Sequence, residues 1–215
     1  MARILITSGP TRQYLDPVRY LTNASSGRMG KALADAAALA GHEVVVISGP
    51  VEVEYDKGME VVPIVSTEEM LDAAKQIFES CDGAIGVAAP CDYRPTQVEE
   101  HKITKTGEPL TLQLIETPDV VATLGARKRA NQWVVGFALE TDDHRFRAIR
   151  KLEEKSCDLI VLNSPEAMNS LETHVEILNP VGDVVQAISG AKSAVAAKIV
   201  TIIDQQLVGQ VNQPN

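Results

Sequence analysis

Short apolar segments alternate with helix-like segments along the first ninety residues, and this alternation most constrains the fold. The predicted helix over 27–40 is rich in alanine and stops at Gly41, a strong C-terminal signal. Ser66 and Glu69 form a capping box before a second helix over 68–81. The strands between them are predicted at "RILITSG" (3–9), "HEVVVISGP" (42–50) and "GAIGVAAP" (83–90). Such strand–helix–strand units predict a parallel sheet with right-handed crossovers.

The alternation resumes after an irregular stretch at about 90–116, which we call the 90–116 excursion. Only its end, "LTLQLIE" (110–116), alternates as a strand with one polar face. The later predicted elements are a helix opened by Thr117-Pro118-Asp119, a strand over 133–141, a helix over 142–156, a strand over 157–163, a hairpin over 173–187 and a helix over 190–207. The sequence predicts one three-layer α/β/α Rossmann-like domain over 1–207, with a mainly parallel sheet and a disordered tail over 208–215.

Composition and charge narrow the classes of partner. The 215-residue chain has a net charge of −9, which argues against a nucleic-acid or acidic membrane partner. No apolar run reaches the ~18 residues that a membrane helix needs. The three cysteines have no CxxC spacing, so they indicate neither a disulfide framework nor a zinc site and favour a cytoplasmic location. The first 34 residues nevertheless hold five basic side chains and one acid, which favours an anionic small molecule.

The loop "YLTNASSGRMG" holds more small polar residues than a helix cap needs. One side-chain oxygen suffices for capping, whereas Asn23, Ser25, Ser26 and Gly27 stand together beside Arg28. Ligands of open α/β sheets bind beyond the carboxyl ends of the strands. We therefore expect a ligand near the residues that end the predicted strands: Ser8-Gly9, Ser48-Gly49, Ala88-Ala89-Pro90, Phe137 and Asn163.

Several common site motifs are absent from the sequence. The turn after the first strand is not GxGxxG and is much too long for that fingerprint, and no Tyr-x-x-x-Lys pair exists. The P-loop motif and HExxH are missing as well. These absences disfavour an NAD(P)-dependent reductase, which stays an alternative, and exclude a P-loop protein.

Four segments taken together resemble the phosphopantothenate–cysteine ligase family: "TSGPTRQYLDPVRYLTNASSGRMG", "AAPCDYRPTQVEEHKITK", "VVGFALET" and "KLEEKSCDLIVLN". The resemblance covers roughly residues 3–205. It implies a free-standing bacterial ligase that joins 4′-phosphopantothenate to L-cysteine through an acyl-cytidylate, consuming CTP and releasing CMP and pyrophosphate. A nucleotide leaving group makes an unreactive carboxylate electrophilic. A nucleotide-binding module without turnover stays the other alternative.

The resemblance also implies roles for particular residues. Asn23 and Lys102 would be catalytic, and Asn23, Arg28 and Lys105 would bind the substrate. Lys151 and Lys155, at i and i+4 of one helix, would share a face toward the nucleotide, unless that face is merely solvated. The full set of implied nucleotide-binding residues is Gly9, Ser25, Ser26, Gly27, Ala88, Ala89, Asp92, Lys102, Phe137, Lys151 and Lys155.

The sequence departs from the family pattern at four positions: Pro90, Cys91, Thr104 and Ser164. Thr104 replaces a middle lysine between Lys102 and Lys105, and Ser164 replaces an aspartate after Asn163. Three further charged residues, Arg12, Asp16 and Arg19, either bind ligand or shape the loop by ion pairing.

The resemblance implies Mg²⁺ as the cofactor and no protein-held metal, because phosphate oxygens would mostly hold the ion. It further implies a homodimer in which the 90–116 excursion lies near the partner subunit. A separate phosphopantothenoylcysteine decarboxylase is a further candidate partner.

Overall fold

The computed structural model describes residues 1–139, 144–163 and 172–209. Its helices and strands, in chain order, are β1 (Arg3–Ser8), β2 (Arg12–Tyr14), β3 (Tyr20–Thr22), α1 (Arg28–Leu39), β4 (Glu43–Ser48), β5 (Glu60–Pro63), α2 (Thr67–Phe78), β6 (Gly83–Gly86), β7 (Tyr93–Pro95), β8 (Leu114–Glu116), α3 (Val120–Arg127), β9 (Trp133–Leu139), α4 (His144–Glu154), β10 (Leu159–Asn163), β11 (Glu172–Leu178), β12 (Val184–Ala191), α5 (Lys192–Ile203) and a π-helix (Asp204–Val208).

Eight of these strands form one sheet in the order β12-β11-β10-β9-β6-β1-β4-β5. From β10 to β5 every pairing is parallel, and β11 runs antiparallel to both of its neighbours. The predicted mainly parallel sheet is therefore confirmed. Parallel strands collect their carboxyl ends at one edge, which is where the site was expected.

Helices cover both faces of the sheet and give the predicted three layers. Within β1, Ile4 and Ile6 pack into one buried cluster with Leu33 of α1 and Ile199 of α5. Leu5 points the other way, into a second cluster shared with α2, α3 and α4. A strand that is apolar at consecutive positions thus buries both of its faces.

The predicted capping box at α2 is confirmed for the hydrogen bond that the Ser66 side chain accepts. The Ser66 hydroxyl accepts a hydrogen bond from the Glu69 N–H at 3.1 Å. The Glu69 carboxylate accepts from the N–H of Val65 at 2.7 Å, not from that of Ser66. The helix start is therefore fixed by two side chains, as the sequence predicts, with the return bond displaced by one residue.

The 110–116 strand prediction is wrong over most of its length. Only Leu114–Glu116 is a strand; it pairs antiparallel with β7, apart from the main sheet, and all three residues are exposed. The alternation of apolar and polar residues over 110–116 is misleading here, because nothing in the described chain covers either face of this segment. Leu110 is 59% exposed for the same reason.

Other predicted boundaries also shift. The strand predicted over 83–90 ends at Gly86, because the chain leaves the sheet and Ala89 keeps only an isolated bridge to Pro10. Pro118 does not lie in the first turn of α3, since Asp119 is the N-cap. The last helix starts at Lys192, and its π-helical end reaches Val208; residues 210–215 of the predicted tail lie outside the described residues.

Candidate functional site

The N-terminus of α1 is not capped by any side chain. Its N-cap, Gly27, adopts the left-handed conformation with φ 72°, and no side chain in the described chain bonds the first helical turn. Ser25 instead accepts from the N–H of Gly27 at 3.5 Å. Capping therefore does not explain the loop 23–27, and the free N–H groups remain available to an anion.

A cavity of about 580 Å³ lies beside this helix start, and we call it the Arg28 cavity. Its charged lining residues are Arg12, Arg28 and Glu52, so the balance is cationic. Two of the predicted serines, Ser25 and Ser26, line it as well. The cavity thus combines hydroxyl groups, guanidinium groups and an uncapped helix terminus, which is a combination suited to a phosphate.

A second cavity of about 320 Å³, which we call the Phe137 cavity, lies at the ends of β1, β6 and β9. Phe137 is half-buried and lines it, so this aromatic ring is not simply part of the core. The complete lining is Thr7, Gly86, Ala88, Pro90, Cys91, Asp92, Tyr93, Glu116, Thr117, Pro118, Asp119, Val120, Val121, Phe137 and Lys155.

Asn23 joins the segments that line the two cavities. Its side-chain amide donates to the carbonyl of Pro90 at 2.8 Å and to that of Ala89 at 3.4 Å. The loop 23–27 leads from there into the Arg28 cavity, whereas Pro90 lines the Phe137 cavity. The predicted catalytic asparagine therefore lies between a cationic cavity and a cavity at the strand ends.

The Phe137 cavity is acidic. Asp92, Glu116 and Asp119 line it, and Lys155 is the cation among its lining residues. Lys155 pairs with Asp119 at 2.9 Å. Of the two predicted lysines, Lys155 lines the cavity, whereas Lys151 does not line it and has an interaction of its own.

Gly9 and Gly27 allow the backbone conformation that is found around these cavities. Both have positive φ, and a Cβ at either would lie within 3 Å of Val51. Gly9 also accepts from the N–H of Ala89 at 2.9 Å. Neither Gly9 nor Ala89 lines either cavity, so the structure gives them a supporting position rather than direct contact with the cavities.

The excursion that carries the predicted lysines is anchored through Ile103. The buried Asp16 carboxylate accepts from the Ile103 N–H at 3.1 Å, and Arg19 donates to the Ile103 carbonyl. Neither Lys102 nor Lys105 lines the two cavities or has a partner among the described residues. The structure therefore does not bring these lysines to the site.

Asp16 and Arg19 shape the loop. Arg19 Nε lies 3.0 Å from Asp16, whose other oxygen accepts from the N–H groups of Val18 and Arg19. Burial alone would raise the pKa of Asp16, but the backbone hydrogen bonds and the Arg19 charge together lower it. Arg12 differs, because it stacks over Tyr20 at 4.5 Å and lines the Arg28 cavity.

Sequence reasoning missed the segment 116–121, which contributes six consecutive lining residues to the Phe137 cavity. The Pro118-Asp119 helix start was recognised, but only as a local signal.

Asn163 accepts from the Thr173 hydroxyl at 2.8 Å and lines neither cavity. Ser164 and the end of "GFALET", residues 140–141, lie outside the described residues.

The three cysteines are buried and free. Burial raises the pKa of the Cys91 thiol, and it raises the pKa of Cys81 to about 11 and that of Cys157 to about 12. None of the three is therefore an activated nucleophile.

Within the three described ranges, no three His, Cys, Asp or Glu residues are grouped to hold a metal ion. None of the described helices has the length and apolar character that crossing a membrane requires.

The mainly parallel sheet, with helices on both faces and cavities beyond the ends of its strands, places the protein in the class of Rossmann-like α/β proteins. Residues 1–207 match the family model of the DNA/pantothenate metabolism flavoprotein C-terminal domain. The chain belongs to this family, which confirms the assignment made from its motifs.

Relatives support the same assignment. The coenzyme A biosynthesis bifunctional protein CoaBC of Vibrio vulnificus is 38% identical over 96% of this chain and 52% of its own length. A cysteine/cysteine sulfinic acid decarboxylase of an unknown prokaryotic organism is 45% identical over 75% of this chain and 45% of its own. The crystal structure of a CoaBC C-terminal domain is 35% identical, covers 96% of each chain and has a TM-score of 0.80. The chain spans about half the length of the curated relatives it matches.

Proposed function

We propose that the protein is a phosphopantothenate–cysteine ligase of coenzyme A biosynthesis that uses CTP. The observation that carries the proposal is the position of Asn23, which bonds Pro90 on one side and leads into the Arg28 cavity on the other. CoaBC relatives, named for coenzyme A biosynthesis, supply the pathway. The decarboxylase name belongs to a longer protein of which this chain covers 45%.

In this proposal the two cavities take the two phosphate-bearing substrates, 4′-phosphopantothenate and CTP. The phosphate of 4′-phosphopantothenate binds in the Arg28 cavity, where Arg12, Arg28 and the helix terminus offset its charge. The nucleotide binds in the Phe137 cavity. The substrate carboxylate and the α-phosphate then meet near Asn23, so the protein contributes mainly proximity and charge stabilisation.

The chemistry has two steps. A carboxylate oxygen attacks the α-phosphorus of CTP, and the bond to the β-phosphate oxygen breaks, releasing pyrophosphate. The amine of cysteine then attacks the acyl carbon, loses a proton and displaces CMP. In this proposal the Asn23 amide donates to an oxygen of the acyl-cytidylate and gives up one of its present contacts, with the carbonyls of Ala89 and Pro90.

Mg²⁺ fits this assignment as an ion carried by the nucleotide. Asp92, Glu116 and Asp119 would repel a bare triphosphate, and a bound divalent ion offsets that repulsion. The phosphate oxygens would supply most of the ligands that do not come from the protein, because Mg²⁺ is usually bound through substrate phosphates, waters and only one or two carboxylates.

A homodimer is also part of the proposal. The separate two-stranded sheet of β7 and β8 exposes Tyr93, Leu114 and Ile115, which are 48%, 41% and 41% accessible. Apolar residues grouped on an exposed two-stranded sheet favour a protein partner. Sedimentation equilibrium should give twice the chain mass, and a monomer at all concentrations would remove the dimer. The separate decarboxylase partner and the cytoplasmic location remain predictions.

The decisive experiment measures pyrophosphate release with 4′-phosphopantothenate, Mg²⁺ and either CTP or ATP, with and without cysteine. We expect release with CTP, and the amide product only when cysteine is present. Equal release with ATP would leave the ligase reaction and remove the CTP preference. CTP binding without pyrophosphate release would identify a non-catalytic module. The absence of both CTP binding and pyrophosphate release would overturn the proposal.

A further inference from the structure

We propose that Thr11 and Thr67 are positioning residues for Asn23. Their buried hydroxyl groups fix the peptide groups of Cys91, and through them the neighbouring carbonyl that receives the Asn23 amide. The role in catalysis rests on the proposed function, whereas the positioning itself follows from hydrogen bonds in this chain.

The hydrogen bonds form a cycle that begins and ends on Cys91. The Cys91 N–H donates to the Thr11 hydroxyl at 2.8 Å, and the Thr67 hydroxyl donates to the Cys91 carbonyl at 3.2 Å. The two hydroxyl oxygens lie 2.8 Å apart. Because a hydroxyl has one proton and that of Thr67 is used on Cys91, Thr11 must donate to Thr67. Each hydroxyl therefore donates once and accepts once.

The cycle is sealed from water and reinforced from a third segment. Thr11 and Thr67 are both 0% exposed. The Thr117 hydroxyl donates to the same Cys91 carbonyl at 2.5 Å, and the Thr117 N–H donates to the carbonyl of Asp92 at 2.9 Å. Shifting residues 91–92 would leave buried polar groups unpaired, which is costly, so the segment has one stable position.

Thr11 holds both sides of the Asn23 contact. Its carbonyl accepts from the Thr22 hydroxyl at 2.8 Å, one residue before Asn23. Its hydroxyl holds Cys91, one residue after the Pro90 carbonyl that accepts from Asn23. Donor and acceptor are thus tied to one buried residue, the arrangement by which a supporting side chain keeps a functional group in place.

The test compares Thr11→Val, which keeps the shape and removes the hydroxyl, with Thr11→Ser, which restores it. We expect the valine variant to lower kcat on the order of tenfold or more, with the KM for CTP changed less than about threefold. The serine variant should recover most of kcat. The side-chain amide NMR signals of Asn23, assigned with Asn23→Asp, should shift in the valine variant and return in the serine variant.

Gln132→Met supplies the matched control. The Gln132 amide is buried and donates to the carbonyls of Phe78 and Cys81, both at 2.8 Å, just before β9 at the other edge of the sheet. Its loss should lower the unfolding midpoint without moving the Asn23 signals or kcat. Should Thr11→Val not fold, Thr67→Val opens the same cycle.

The outcomes separate the two proposals. Unmoved Asn23 signals in the folded valine variant would overturn the positioning role, and so would an equal loss of kcat in Gln132→Met. If the wild-type protein shows no ligase turnover, the proposed function fails, and the NMR comparison still decides whether the threonines position Asn23.

Discussion

Lys155 Nζ lies 2.9 Å from Asp119 Oδ2, so the lysine of the Phe137 cavity is held by the residue that begins the next helix in space. The other Asp119 oxygen accepts from the Ala122 N–H at 2.9 Å as the N-cap of α3. A Cβ at Gly125 of the same helix would lie 1.9 Å from the Lys155 carbonyl. Helix α3 therefore holds Lys155 at two points. The Asp119 side chain pairs with the ammonium group of Lys155, and Gly125 lets the helix approach the Lys155 carbonyl closely.

Replacing Asp119 should separate capping from ion pairing. Asp119→Ala removes both, and we expect it to lower the free energy of unfolding by about 1 kcal/mol. Asp119→Ser keeps a capping oxygen and should lose less than half as much, because a partly exposed ion pair contributes little. Urea unfolding measures the difference. Equal losses in the two variants would show that the ion pair, not the cap, dominates.

Lys155→Gln should weaken CTP binding roughly tenfold, because one charge contact to a phosphate is lost. Lys128→Gln is the control, since Lys128 also pairs with an aspartate, Asp158 at 2.6 Å, but lines neither cavity. Titration calorimetry with CTP and Mg²⁺ compares the two. A similar loss for both lysines would indicate a general charge effect and would remove Lys155 from the nucleotide site.

The family resemblance assigns Lys102 the task of offsetting developing charge, although it lines neither cavity, so Lys102→Gln should slow product formation on the order of a hundredfold. The stability should not change, since Lys102 is exposed and has no partner among the described residues. Lys105→Gln, on the same exposed segment, should have a smaller effect. Steady-state turnover decides, and an unchanged rate in Lys102→Gln would remove this lysine from the mechanism.

The lowered pKa of Asp16 predicts that the free energy of unfolding decreases in acid. Its pKa is lowered on folding from the usual 3.8, so its contribution is complete above that pH. The contribution is lost as the pH falls through the lower, folded-state pKa. Asp16→Asn should therefore destabilise the protein most at neutral pH, and progressively less below pH 3.8. Urea unfolding over this range checks the trend; a gap that widens in acid would contradict it.

Gly30→Ala should lower the free energy of unfolding by about 1–3 kcal/mol, the usual cost of overpacking. The new Cβ would lie 2.1 Å from the Ser8 hydroxyl, so α1 would have to move away from β1. Gly58→Ala is the control, because a Cβ there meets nothing within 4 Å. Thermal unfolding compares them, and equal midpoints would mean that α1 moves without cost.

Much of the fold was predictable because its signals are local. The β-branched strands β1 and β4 and the Ser66 cap appear where the sequence places them. The hairpin of β2 and β3 was missed, because the polar residues of 12–22 suggested a loop. Its turn depends on Asp16, whose partner Ile103 is 87 residues away.

The candidate site was predictable by residue and not by arrangement. The sequence predicts Asn23, Ser26 and Phe137 as site residues, and the structure places them in or beside two cavities. Residues 116–121 were not named as part of a site, since a helix start carries no sign of what lies opposite it.

The sequence alone determined the chain order of the helices and of most strands of the main sheet, because hydrophobic periodicity and turn residues act over a few positions. It also predicted a mainly parallel sheet, and the edge of that sheet at which a ligand is expected. Only the tertiary structure decided that Asn23 meets Pro90, 67 residues away, and that Lys155 meets Asp119. Such contacts depend on which strand ends lie side by side in the sheet, and no local pattern records that choice. The excursion was misjudged for the same reason, since alternation shows that a strand could have a buried face, while only packing supplies something to cover it.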